Sequence, residues 1–169
     1  MGGDAAEQCG AQSLMLHFAY GSNMDRAVMR THAPHAQPLG IATLADVRFV
    51  ITADGYASVA PRRGETVHGV LWRLTSRDRV TLDAWEGITA RRYRAAALTV
   101  GSAGRRRPAL VYIARPLPAG RARAGYMELV IAAAQEWQLP AAYVSSLERW
   151  LPRGSSGGAG REPEAFRWT

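Results

Sequence analysis

The hydrophobic pattern of this chain is strand-like through most of its length and helical mainly toward its end. Residues 14–19 form an apolar run that breaks at Gly21, the pattern of a buried strand. Asn23 or Ser22 can then cap a helix that starts near Asp25 and ends by Pro34. Residues 39–52 carry β-branched and aromatic residues in partial alternation, and Asp54-Gly55 follows as a turn signal. Residues 57–61 and 66–74 flank Arg63-Gly64 and read as a hairpin. Thr75 opens a second helix, with Asp78 placed to close a capping box; the helix runs to about Trp85 and stops at Gly87. Residues 92–100 and 109–114 predict another hairpin around Gly101-Ser102-Ala103-Gly104. A proline-rich link over 115–120 leads into the clearest helix, where Met127, Val130, Ile131, Ala134 and Trp137 fall on one apolar face. Leu139-Pro140 ends it, and residues 143–150 make a short last helix.

These strands are too numerous and too close together for βαβ crossovers between most of them. The expected fold class is therefore α+β, with an antiparallel or mixed sheet and helices packed outside it. A chain of 169 residues is expected to be one domain with a proper core, here residues 14–151. Residues 1–13 are polar and small, and residues 152–169 begin Gly/Ser-rich; both are expected to be flexible.

Composition narrows the function. No stretch approaches the roughly 20 apolar residues of a membrane span, and residues 1–13 lack the pattern of a secretory signal. Cys9 is the sole cysteine, so a cytoplasmic protein without disulfides is expected. The net charge is +7, and all 21 of the Lys/Arg positions are arginine. Absence of lysine excludes a Schiff base, a lysine nucleophile and a P-loop. With abundant Ala and Gly it points to the coding bias of a GC-rich genome, and the arginines occur in short groups rather than one stripe. No nucleic-acid partner and no membrane partner are therefore expected.

Several residues invite chemistry and fail a closer test. Ser22 lacks the flanking glycines of a nucleophile elbow, since Tyr20 and Met24 stand there. His32 and His35 are separated by the helix-breaking Pro34 and have no Asp or Cys ligand nearby, so no metal is expected. His17 and His68 lie on expected strands and read as satisfied structural residues. Gly101 and Gly104 precede arginines but no helix, which suits a hairpin tip and not a phosphate loop. Glu86 stays open. A glutamate in the last turn of a helix is ordinarily solvated, and the helix C-terminus disfavours its charge. Between Trp85 and Gly87 it can instead be half-buried with a raised pKa suited to proton transfer.

Tyr20-Gly21-Ser22-Asn23-Met24 resembles the binding-loop motif of the γ-glutamylcyclotransferase family. Val67-His68-Gly69-Val70-Leu71-Trp72 resembles the strand before that family's catalytic helix. Leu82-Asp83, then Glu86-Gly87 and Tyr93, match the segment that carries its catalytic glutamate. Tyr126 and Gln138-Leu139-Pro140-Ala141-Ala142-Tyr143 are similar to its C-terminal helix pair, so the likeness covers roughly residues 16–151. The resemblance implies a small barrel-like sheet surrounded by helices. It also implies release of 5-oxoproline from a γ-glutamyl compound, with Glu86 as general base and acid. Tyr20, Gly21, Ser22, Asn23, Met24, Tyr93 and Tyr126 are the substrate-binding candidates it suggests. Asn23 favours the branch acting on γ-glutamyl amino acids or amines, because the glutathione-specific branch typically has Leu there. The substrate supplies its own nucleophile, the α-amine, so no cofactor or metal is required. The expected partner is a small γ-glutamyl molecule, for a monomer or a homodimer. A non-catalytic ligand binder of the same fold and an arginine-rich nucleic-acid binder are the competing readings.

Overall fold

The computed structural model describes residues 15–152. The expected terminal segments, 1–13 and all of 152–169 except Pro152, lie outside the described residues, as does Cys9. Among the described residues, five strands close into a barrel: β1 (Met15–Ala19), β2 (Gln37–Ile51), β3 (Ala57–Leu74), β4 (Tyr93–Ser102) and β5 (Arg105–Ala114), in the spatial order β1-β3-β2-β4-β5. Four α-helices of the described residues accompany them: α1 (Arg26–His32), α2 (Ser76–Trp85), α3 (Tyr126–Glu136) and α4 (Ala141–Glu148). The fold is thus α+β with a mixed barrel. All pairings are antiparallel except β1 with β5, where His17 meets Leu110 in parallel and closes the ring. Closure matters because an unpaired strand edge is a template for aggregation.

The longest ladder joins β2 to β3, from Gln37↔Arg73 to Ile51↔Ala57. It corrects the hairpin expected at Arg63-Gly64. β3 is one strand, and residues 62–65 bulge out opposite Asp46, between the pairs Ala45↔Thr66 and Val47↔Pro61. Gly64 adopts a φ of 83°, and its N–H donates to Asp46 Oδ1 at 2.9 Å, so local turn chemistry is satisfied without ending the strand. The actual β2–β3 turn lies at Thr52 to Tyr56, where the Thr52 N–H donates to the Tyr56 carbonyl at 3.0 Å. The β4–β5 hairpin turns at Ala103-Gly104, both with positive φ (48° and 71°), as a two-residue connection requires.

The apolar face expected on α3 is buried: Met127, Val130 and Ala134 are fully enclosed and Ile131 nearly so. Full burial of side chains such as Met127 and Val130 contributes about 1.5–3 kcal/mol each. That packing fixes α3, since an isolated helix of 11 residues is marginal in water. These side chains join Phe18, Phe49, Ile51, Leu71, Leu74, Val100 and Val111 from the strands and Leu147 from α4 in one core. The last helix begins at Ala141, directly after Pro140, two residues earlier than its apolar pattern indicated.

Candidate active site

The end of β1 and the two helix termini that flank it build one concave site. After β1 the chain makes a single 3-10 turn, Ser22–Met24, before α1. The cap of α1 is Asp25, not Asn23 or Ser22: its carboxylate accepts from the N–H groups of Ala27 at 2.9 Å and Val28 at 2.8 Å. That correction has a chemical consequence. Asn23 is released from capping and is buried, and its Nδ2 donates to Glu86 Oε1 at 2.7 Å.

Glu86 is held by the way α2 begins and ends. The start is the expected capping box, in which Thr75 and Asp78 bond reciprocally. Glu86 is the C-cap, and Gly87 follows in the left-handed region at φ 64°. The Gly87 N–H reaches the Ala84 carbonyl at 3.1 Å and the Ile88 N–H reaches the Asp83 carbonyl at 3.0 Å, a Schellman termination. A Cβ at Gly87 would stand 2.9 Å from Arg92 Cδ, so a side chain there would also have to displace the Arg92 side chain. The turn directs Glu86 toward the loop after β1. The residue keeps a little exposed surface while its carboxylate is enclosed, and this desolvation pushes its pKa from 4.5 up to about 7. The hydrogen bond from Asn23 opposes the rise, and the nearby charge of Asp83 adds to it.

Of the candidates read from the sequence, Tyr20, Gly21, Ser22, Asn23, Glu86, Tyr93 and Tyr126 all line this pocket, a cleft of about 450 Å³ including its open mouth. Met24 does not. It is fully buried in the core, and its carbonyl accepts the indole N–H of Trp137 at 2.8 Å. The tyrosine hydroxyls are largely committed to the scaffold: Tyr20 donates to the Tyr112 carbonyl, and Tyr93 to the Ala57 carbonyl at 2.8 Å. Tyr126 differs, because its oxygen accepts the Ala57 N–H at 3.2 Å and is also within hydrogen-bonding reach of the Ser22 backbone and side chain in the loop after β1. Burial pushes the Tyr126 hydroxyl up to about 12, and raises Tyr20 and Tyr93 as well, so all three stay protonated at neutral pH. The 3-10 turn adds backbone N–H groups, since the first amides of any helical turn lack intrahelical partners.

The sequence reading missed His17, Tyr56, Trp85 and Tyr112, which also line the pocket. Tyr112 donates to Asp83 Oδ1 at 2.7 Å, and the same oxygen takes the Arg79 guanidinium at 2.7 Å, so the wall behind Glu86 is cross-braced from β5 to α2. Alternation within β5 could have indicated a face for Tyr112; no local pattern places it near Glu86. His17 is buried with one nitrogen bonded to Leu110 and the other without a partner, so it is not the satisfied strand residue expected. His32 stacks on Trp85 with ring centroids 3.6 Å apart, and His35 sits 3.4 Å from the buried Asp78 carboxylate. The two histidines thus engage different partners. Among the described residues no helix is long and apolar enough to cross a membrane.

A solved structure described as gamma-glutamyl cyclotransferase superposes with a TM-score of 0.78 at 22% identity, covering 87% of this chain and 94% of that one. An uncharacterized Homo sapiens protein gives the same TM-score and coverage at 23% identity. YkqA from Bacillus subtilis matches at 26% identity and a TM-score of 0.71, over 81% of this chain and 54% of its own. The class is therefore an α+β protein with the γ-glutamylcyclotransferase-like fold. The model of the AIG2-like family matches residues 66–147, from the second half of β3 to α4, and the family resemblance read from the sequence stands. No curated protein matches the chain.

Proposed function

We propose that this protein is a cyclotransferase that converts a γ-glutamyl amino acid or amine to 5-oxoproline and the free amine. The observation that carries this reading is Glu86, an enclosed carboxylate with a pKa raised to about 7, held by Asn23 in a tyrosine-lined pocket. A general base poised near the working pH is what the reaction needs. The substrate's α-ammonium gives a proton to Glu86, and the freed amine attacks the γ-carbonyl carbon and closes a five-membered ring. The tetrahedral intermediate then collapses. The bond to the leaving nitrogen breaks as Glu86 returns the proton to it, and the ring nitrogen passes its surplus proton through the freed Glu86 carboxylate to the departing amine, so that a neutral lactam and an ammonium separate. The nucleophile is intramolecular, so the protein's main task is to hold the bent conformer and move the two protons that the α-ammonium gives up.

Under this reading the developing oxyanion meets the Tyr126 hydroxyl and the backbone N–H groups of the Gly21 to Asn23 turn. The leaving group extends past Tyr56 and Trp85 toward the mouth. An assay for 5-oxoproline release across a panel of γ-glutamyl amino acids, γ-glutamyl amines and ε-linked γ-glutamyl-lysine tests the proposal. Release from at least one class supports it. A folded protein that releases 5-oxoproline from none overturns it.

A further inference from the structure

His17 is a buried histidine that the reaction above does not use. It lies on β1, is 1% exposed, and contributes to the same pocket wall as Glu86 and Asn23. Its Nδ1 is 3.1 Å from the Leu110 carbonyl oxygen. A carbonyl only accepts, so Nδ1 must carry the hydrogen, and Nε2 is left as a bare lone pair. Burial pushes the ring's pKa down to about 4, against the opposing effect of that Leu110 bond, with the nearby positive charge of Arg79 lowering it further. The imidazole is therefore neutral under physiological conditions. Among the described residues no group donates to Nε2. Tyr112 packs edge-on against the ring at 5.3 Å between centroids and has its hydroxyl proton committed to Asp83.

Asn23 repeats the situation. Its Nδ2 is used by Glu86 while its Oδ1 is buried without a donor. Glu86 itself uses one oxygen for Asn23. β1 and the turn after it thus each contribute one unmatched buried acceptor from a residue that lines the pocket. A buried acceptor left unmatched costs on the order of 1–3 kcal/mol, so the arrangement calls for a ligand rich in N–H donors at this place. A γ-glutamyl amide has two nitrogens. The amide nitrogen offers one hydrogen and belongs to the leaving group, whereas the α-ammonium offers three and must face Glu86.

We propose that His17 Nε2, with Asn23 Oδ1, accepts hydrogen bonds from the substrate's α-ammonium group and holds it against Glu86. His17 then acts as a substrate-binding residue that selects γ-glutamyl compounds over glutaryl compounds lacking the α-amine. The inference rests on the cyclotransferase reading.

The test uses the Glu86→Gln protein, in which turnover is expected to be slowed about 10²- to 10⁴-fold so that binding can be read. Calorimetry compares the best γ-glutamyl compound of the release panel with its glutaryl counterpart, which differs only in lacking the α-amine. Adding His17→Asn keeps a donor for the Leu110 carbonyl and removes the acceptor at the Nε2 position. It is expected to weaken the γ-glutamyl ligand about 10-fold, as for the loss of one hydrogen bond to a charged group, and to leave the glutaryl ligand within about 2-fold. His17→Gln, whose amide oxygen can reach the Nε2 position, is expected to restore most of the preference. Should His17→Asn fail to fold, His17→Phe keeps the ring volume without the acceptor and is expected to give the same split. Equal weakening of both ligands would make His17 a structural residue and overturn the proposal, as would no change in either. If no panel member releases 5-oxoproline from the unmodified protein, the parent reading falls and the role of His17 falls with it.

Discussion

Replacing Glu86 with glutamine separates the chemistry of this side chain from its shape, and it should change activity and stability in opposite directions. Glutamine can accept the Asn23 hydrogen bond through its own Oε1, now 2.7 Å long in the carboxylate form, but it cannot exchange a proton. Turnover is expected to fall about 10²- to 10⁴-fold, the usual consequence of losing a general acid–base. Stability follows from linkage. Desolvation, and in smaller part Asp83, raise the folded-state pKa from 4.5 to about 7. A carboxyl whose folded pKa is raised binds its proton more tightly in the folded state, so the fold loses stability as pH rises through that interval. At pH below 4.5 both states are protonated and there is no penalty; above about 7 the penalty is complete. At about 1.36 kcal/mol per pH unit the interval corresponds to about 3 kcal/mol. Glutamine is uncharged throughout. Glu86→Gln should therefore be more stable than the native protein by about 2–3 kcal/mol at alkaline pH, and the gain should fade toward pH 4.5. Urea unfolding of both proteins at about pH 5 and about pH 8 reads the difference. A variant with near-native turnover would refute the proton-transfer role. A stability difference that does not grow with pH would refute the claim that Glu86 is charged at a desolvated site.

Asn23→Ala removes the hydrogen bond that opposes the rise in the Glu86 pKa, so the midpoint of the rising limb in a kcat/KM pH profile should move up from about 7 by roughly one unit; an unshifted midpoint would mean that this bond does not tune the base. Gly21→Val should abolish most activity, because a Cβ there already stands 2.9 Å from Tyr126 Oη and 3.2 Å from Ala57 Cβ. Ser22→Ala should keep most of it, and a Ser22→Ala protein as inactive as Glu86→Gln would revive a serine nucleophile. Activity in the 5-oxoproline release assay should survive exhaustive chelation, whereas loss on chelation with recovery on adding zinc would return His32 and His35 to consideration.

Much of the fold was legible because its signals are local. The apolar face of α3 needs only the helical repeat, and the Thr75–Asp78 box and Gly87 stop need only residues within one turn of each other. The family motifs were legible for the same reason: the loop after β1 and the segment around Glu86 are each short and contiguous. The misreadings arose where a long-range partner outweighed a local signal. Arg63-Gly64 has good turn chemistry, yet β2 runs alongside and carries the strand through it as a bulge. Asn23 is a good cap, but Asp25 takes that role and Glu86, 63 residues away, takes the Asn23 amide. Met24 belongs to the same motif and points into the core instead.

The sequence by itself determined the element types, the α+β class, the absence of lysine chemistry and the identity of the one carboxylate worth testing. Tertiary structure decided what that carboxylate is. Burial, hydrogen-bond partners and pKa depend on which distant segments meet, and barrel closure brings β1, β5 and the end of α2 together in a way that no periodicity encodes. It turned Glu86 from a charge awkwardly placed at a helix end into a desolvated group with a pKa near neutrality. It also turned His17 from a strand residue expected to be satisfied into a buried one that lines the same pocket with one ring nitrogen unpartnered.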